Sequence, residues 1–314
     1  MRRWEKNLLI VLCAVVILLP LLSGSSFLLR SAVFAGIYAL VAIGLTLLVS
    51  YAGQVSIGHA AFMAIGAYAS AILTTRYAVN PWLAMMAATA TTIGISYLIA
   101  IACLRLTGHY LAMATLGLGL MVNSLLVQLS SVTGGVMGIS DIRPLSLFGK
   151  ELSTDRAMYY LVWAAVFIAI RLSCNAANSR IGRALRAIQH DELAALSFGI
   201  RIQHYKLVIF LFSTGLASIA GSLMAHYMTF VSPEPFSLYL SILFLLMALI
   251  GGRLSPIGGV LGAIIVSGLP QVLRGYENLS GGIFGLLLIL IMLFLPEGVL
   301  SLGKNVRQVG KRHG

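Results

Sequence analysis

Apolar residues run through this chain in long blocks, and the polar ones are gathered at the joins. The blocks fall near residues 7–23, 27–49, 60–75, 82–104, 111–129, 157–174, 207–230, 238–251, 257–273 and 279–299. A helix that crosses a bilayer needs about 20 mostly apolar residues. The pattern therefore predicts an all-α polytopic membrane protein of about eight to ten transmembrane helices. The blocks near 60–75, 238–251 and 257–273 are short or broken by glycine, which is why the range stops short of a firm ten.

Only two joins are long and hydrophilic, 130–156 and 175–206. Neither could hold a soluble catalytic domain. The chain thus reads as a single transmembrane domain over residues 1–314. Its membrane core is 26–300, its one substantial basic loop is 175–206, and a basic tail occupies 303–314.

Composition sharpens this picture. Hydrophobic residues make up 59% and charged residues 10%, against about 25% charged in a soluble domain. Mean hydropathy is +0.97. A soluble fold could not hide that much apolar surface, and a disordered chain would not contain it. The net charge of +12 would suggest nucleic acid in a soluble protein, but no nucleic-acid signature is present. Charge placement gives a better account. With the N-terminus in the cytoplasm, ten spans put 15 of the 21 Lys and Arg on the inner side. Basic residues favour cytoplasmic loops, where they also meet anionic lipid. Both termini are then cytoplasmic, 130–156 is outside and 175–206 inside.

Other features add less. Cys13, Cys103 and Cys174 lie in or beside apolar runs without CxxC spacing and read as small buried hydrophobes. The first block resembles a signal peptide. Leu21 and Leu22, however, precede the small residues from Ser23, so a retained span is favoured. Arg30 is expected at an outer membrane edge, its head turned to the interface. Gly258 and Gly262, and Gly281 and Gly285, have the spacing that lets helices approach closely, chiefly within the chain.

Two stretches carry candidate chemistry. In the basic loop, Ile181, Leu185 and Ile188 make one stripe of a short helix. Asp191 is placed to cap a second helix, Glu192 to Phe198, with Gly199 as its terminating residue. The result is a helical elbow. Small residues in it could admit another protein's backbone, so the elbow could transmit a push. It could equally lie on the membrane surface, its arginines on lipid phosphates. The second stretch is residues 51–59. Tyr51, Gln54, Ser56 and His59 are polar there, and Gly53 and Gly58 break the helix between two apolar spans. Irregular backbone at membrane depth survives where protein or a water-filled cavity satisfies it. Gln54, Ser56 and His59 could line a translocation path, or the glycines could serve only tight packing. Asn123 is a weaker path candidate, because membrane amides often bond between helices.

The elbow Ser179-Arg180-Ile181-Gly182-Arg183-Ala184-Leu185-Arg186, continued through Glu192, Ala195 and Gly199, resembles a loop of LivM-like permeases. These belong to ATP-driven importers of branched-chain amino acids. Gly53-Gln54-Val55-Ser56-Ile57-Gly58-His59-Ala60, Ala114-Thr115-Leu116, Thr133-Gly134-Gly135 with Gly138, Gly258-Gly259 and Pro296-Glu297-Gly298 are similar to further motifs of that family, in the same order. The resemblance implies a non-catalytic translocation subunit without cofactor or metal. It implies two ATPase subunits, a second LivH-like permease and a periplasmic or lipid-anchored substrate-binding protein as partners. It implies an ATPase-coupling loop, in which Ser179, Gly182, Arg183, Ala187, Glu192, Ala194, Ala195 and Gly199 are the candidate residues. Val136 and Met137 depart from the family pattern, which usually has Ser and a polar or acidic residue there. That leaves urea, amides and aromatic acids open beside branched-chain amino acids as substrates. Leu254-Ser255-Pro256 is a second departure.

Other functions fit less well. Apart from Glu297, at the very end of the last block, no Asp or Glu falls inside a predicted span, which counts against an ion-coupled carrier working alone. His59, His109 and His226 are scattered and no HExxH or GxSxG occurs, which counts against an intramembrane enzyme. Gly298 to Asn305 nearly fits a phosphate-binding loop, but Asn305 stands where Ser or Thr should hold Mg²⁺.

Overall fold

The computed structural model of the chain describes residues 3–22, 25–103, 108–147, 150–152, 154–252 and 255–272, with isolated positions 285, 286, 289 and 293 beyond them. The apolar blocks become α1 (Arg3–Leu22), α2 (Ser26–Ala52), α3 (His59–Thr75), α4 (Pro81–Cys103) and α5 (His109–Gln128). They continue as α7 (Asp155–Asn178), α10 (Ile202–Met228), α11 (Leu238–Gly251) and α12 (Ile257–Val272). The turn α6 (Ser130–Thr133) and the pair α8 (Arg180–His190) and α9 (Glu192–Ser197) fill the two long joins. Apart from those four positions, the block 279–299 lies outside the described residues, as do Gly281, Leu254 and the phosphate-loop look-alike. Among the described residues, α2, α4, α5, α7 and α10 are long and apolar enough to cross a membrane.

The all-α reading holds apart from two small exceptions in the 130–156 join and its neighbour. Ser146–Leu147 pairs antiparallel with Lys150–Glu151, and Ile139 bridges Val231. The basic loop is also shorter than 175–206. Helix α7 runs on to Asn178 and α10 starts at Ile202, because helical hydrogen bonding continues past the apolar part of each span.

Helix α2 is buried almost continuously from Val33 to Ala52. A helix that is apolar all round belongs at the centre of a bundle, and α3, α7, α10, α11 and α12 pack around it. The α3–α10 seam is the most extensive. It is built from small and hydroxyl residues: Gly66 lies against Ser218, and Gly221 against the Met63 carbonyl. Ser222 Oγ donates to the Gly66 carbonyl at 3.1 Å, and Ser70 Oγ meets His226 Nε2 at 2.8 Å. Small residues let membrane helices approach closely, and their hydroxyls then bond across the seam. Gly258 and Gly262 likewise serve packing inside the chain, against Gly251 and the Met247 carbonyl. Helices α4 and α5 sit at the periphery, with Met86, Leu98, Met113 and Met121 exposed.

The joins gather at two ends. At one, Arg30 Nε donates to Asp155 Oδ2 at 3.1 Å and Tyr227 Oη donates to Asp155 Oδ1 at 2.9 Å. Arg30 is therefore ion-paired as well as turned outward, with its side chain 66% exposed. The same end holds the 130–139 turn. Arg76 donates to the Ser131 and Val132 carbonyls there, and Thr133 Oγ1 donates to the Leu126 carbonyl. Gly134, Gly135 and Gly138 all have positive φ, which glycine adopts without strain. This scaffold displays Val136 and Met137, 76% and 86% exposed. The opposite end holds residues 51–58 and the α8–α9 pair.

Candidate coupling elbow and translocation segment

The elbow is assembled by capping. Ser179 Oγ accepts from Ile181 N–H at 3.1 Å and opens α8. Asp191 accepts from Leu193 and Ala194 N–H at 2.8 and 3.1 Å and opens α9. Gly199, at φ +74°, closes it, with its N–H on the Leu196 carbonyl. Helix α9 ends at Ser197, one residue earlier than the spacing predicts, because Phe198 takes the cap position.

Helix α8 folds straight back over the end of α7. Gly182 makes this possible, since a Cβ there would meet the Ala177 carbonyl. Arg186 donates to the same carbonyl at 3.0 Å, and its guanidinium lies 5.7 Å from the Tyr51 ring centre. A cation over the carbonyl end of a helix and over an aromatic face is favourable on both counts. The apolar stripe faces inward: Leu185 and Ile188 are buried at 1% and 2% exposure. An α8 lying on lipid would need that stripe free, so the surface-helix reading loses its apolar face.

The small residues divide between two roles. Gly182 and Ala195 are buried, with Ala195 packed on Ile188 and Ile202, so neither is open to another chain. Arg183, Ala194 and Gly199 are exposed, and Ser179, Ala187 and Glu192 are half-buried. Sequence reasoning missed the surface that stands out most. Leu193, Leu196 and Phe198 are 77%, 54% and 85% exposed at the tip of the elbow. It also missed the tie behind that tip. Lys206 Nζ donates to Glu192 Oε1 at 2.6 Å, with the lysine side chain only 6% exposed. This ion pair joins the start of α9 to the second turn of α10.

The 51–59 segment is an irregular return into the bundle. Gly53 ends α2 at φ +64°, and Gln54 N–H closes on the Leu48 carbonyl. Eight residues before Ala52, Gly44 packs directly on Ser213 of α10. His59 Nε2 reaches the same Ser213 Oγ at 2.8 Å. So α2 runs about 12 Å past this point, and residues 53–58 bring the chain back to it without helix. Ile57 N–H donates to Thr115 Oγ1 at 3.0 Å, and Gly58 lies against the Thr115 carbonyl, which brings two of the sequence motifs together. Ser56 Oγ meets His59 Nδ1 at 3.0 Å, and Ala60 N–H donates to Ser241 Oγ at 3.1 Å.

Gln54, Ser56 and His59 are thus buried at 3%, 0% and 0% exposure. Ser56 and His59 are paired inside the packing, whereas neither polar atom of the Gln54 amide has a partner among the described residues. Asn123 Nδ2 donates to the Pro233 and Phe236 carbonyls, which fastens the 229–237 join to α5. Among the described residues no group of three His, Cys, Asp or Glu could hold a metal ion. A Ser213→Val substitution would strip His59 Nε2 of its partner. The expected cost is about 1–3 kcal/mol, that of an orphaned buried polar group, read as a lowered melting temperature of the purified protein.

Comparison with known proteins agrees with this architecture. The family described as "Branched-chain amino acid transport system / permease component" matches residues 27–294. The high-affinity branched-chain amino acid transport permease LivM of Escherichia coli is 31% identical, over 85% of this chain and 68% of its own length. LivH of Escherichia coli is 24% identical, over 84% of this chain and 91% of its own length. BraD of Pseudomonas aeruginosa is 25% identical with the same coverage. No solved structure matches the chain. The long match, the capped elbow and the multi-helical membrane fold together make the chain a member of the family of branched-chain amino acid transport permeases.

Proposed function

We propose that this chain is the membrane-spanning subunit of an ATP-driven importer for branched-chain amino acids in the bacterial inner membrane. A second, homologous permease completes the pair, and the similarity to both LivM and LivH supports that pairing. ATP is hydrolysed on two separate subunits, and a binding protein delivers substrate to the end that carries the 130–139 turn. Both termini are cytoplasmic, as the basic residues favour. Spans poor in charge suit a zwitterion with an apolar side chain.

The observation that carries this reading is the elbow. Its apolar tip, Leu193, Leu196 and Phe198, is offered outward, while its base is tied to α10 through Glu192 and Lys206. An ATPase docked on that tip has a firm connection into the bundle. Arg183, Ala194 and Gly199 belong to the docking surface. Ser179, Gly182, Ala187, Glu192 and Ala195 hold its shape. Of the path candidates, Gln54 is the one with free hydrogen-bonding capacity. Ser56, His59 and Asn123 position the walls.

The test is to tag the chain, solubilise membranes gently and identify what co-purifies. Two ATPase chains and a second permease are expected. In a Leu193→Glu, Phe198→Glu protein the ATPases should be lost and the second permease kept. ATPases retained by that variant would remove the docking role. A chain that came down alone yet carried solute in liposomes without ATP would replace the importer by a carrier.

A further inference from the structure

Helix α1 stands off from the bundle and meets it through side chains. Leu12 and Val16 are buried at 7% and 5% exposure, and Tyr159 Oη donates to the Val16 carbonyl at 3.0 Å. The gap left between α1, α2, α7 and α12 is a half-open crevice of about 190 Å³. Ala35, Tyr159 and Trp163, all buried, are among the residues that line it. Trp163 is held there by its indole N–H, which donates to the Ala32 carbonyl at 3.2 Å. Val15 and Leu28, also on the crevice lining, are both about half exposed. The lining is almost entirely carbon.

We propose that this crevice seats one acyl chain of a phospholipid, with its phosphate held by the arginines above it. Three observations select that occupant. The first is size: a crevice of about 190 Å³ offers room for a stretch of one slender hydrocarbon chain. The second is chemistry, because a dry apolar slot opening on a lipid-facing surface offers water no partners. The third is charge. One turn from Tyr159, Arg30 is ion-paired to Asp155 through Nε, and its side chain remains 66% exposed. Arg156, also exposed, precedes Tyr159 by three residues and so shares its face of α7. Two arginines against one aspartate leave a net positive rim, and guanidinium groups bind phosphate in a fork. The aromatic residues Tyr159, Tyr160 and Trp163 match the belt found where chains meet headgroups. A bound lipid would act as mortar between α1 and the bundle.

Trp163 supplies the measurement. The other tryptophans, Trp4 and Trp82, are replaced by Phe in the full-length protein. The protein is then reconstituted in phosphatidylethanolamine with rising fractions of phosphatidylglycerol brominated on one acyl chain. Bromine quenches indole fluorescence on contact. Saturable quenching is expected, complete while brominated lipid is still the minor component. Arg30→Gln with Arg156→Gln should shift the half-point to higher brominated fractions, and Ala35→Leu should remove the saturable part. Quenching that merely follows the bulk lipid ratio would overturn the proposal. So would equal quenching by a brominated fatty acid without phosphate. Trp163 that stays unquenched would mean protein fills the crevice, which also ends it.

Discussion

Reversing the charge at Lys206 (Lys206→Glu) is expected to reduce ATP-driven uptake at least tenfold, and adding Glu192→Lys should restore most of it. Lys206 carries its ammonium group at 6% exposure, 2.6 Å from Glu192. The substitution leaves two carboxylates in that contact. Removing one partner of a buried pair costs about 3–5 kcal/mol; Glu192, 44% exposed, can turn to water, so the lower end applies. A loss of about 1.4 kcal/mol in coupling already amounts to tenfold. The swapped pair recreates the attraction with the charges exchanged, so recovery identifies the pair itself rather than either residue. Uptake and ATP hydrolysis are measured together in proteoliposomes containing the whole importer. Hydrolysis that continues while uptake stops places the defect in transmission. A single variant with unchanged uptake would remove the ion pair from the coupling route.

A Gly221→Val substitution should be the most damaging change within the spans. A Cβ at Gly221 would collide with the Met63 carbonyl, which is backbone and cannot rotate away. Overpacking costs about 1–3 kcal/mol where side chains yield, and rigid backbone puts this case at the upper end. Separating α3 from α10 would also weaken Ser222 on Gly66 and Ser70 on His226. The expected readout is a protein that solubilises poorly and elutes as aggregate. Gly94→Leu is the matched control, since nothing lies within 4 Å of a Cβ at that position. It should express and elute as the parent does. Equal behaviour of the two variants would mean the seam is looser than described.

Much of this architecture is legible in the amino-acid order. Every apolar block that falls in the described residues coincides with a helix, because long apolar runs leave the backbone only internal hydrogen bonds in lipid. Two of the elbow's caps are legible too: Asp191 and Gly199 act through bonds two or three residues away, whereas the Ser179 cap emerges only from the structure. What could not be read depends on contacts between distant residues. Lys206 finds Glu192 across fourteen positions, and His59 finds Ser213 across 154. The elbow tip was hidden for another reason. Helix α9 is apolar on two faces, with Ala195 on one and Leu193 and Leu196 on the other. Periodicity shows both faces and cannot tell which one the bundle covers. In the 51–59 segment, glycine and polar residues announce a broken helix. Only the Ser213 contact reveals that the chain doubles back.

That same serine has a mechanical meaning. Gly44 of α2, His59 of α3 and α10 itself converge on Ser213 with no side-chain slack between them, and packed interiors transmit displacement instead of absorbing it. Ser213 is the natural fulcrum for α10. The short arm, from Lys206, is seven residues or about 10 Å; the long arm, to His226, is thirteen residues or about 20 Å. A tilt that shifts Lys206 by 1 Å would therefore swing His226 by about 2 Å. His226 Nδ1 bonds the Arg143 carbonyl at 2.7 Å, and Val231 beyond it is bridged to Ile139. The helix would work as an unequal lever, with a small stroke at the elbow doubled where the far-side joins meet.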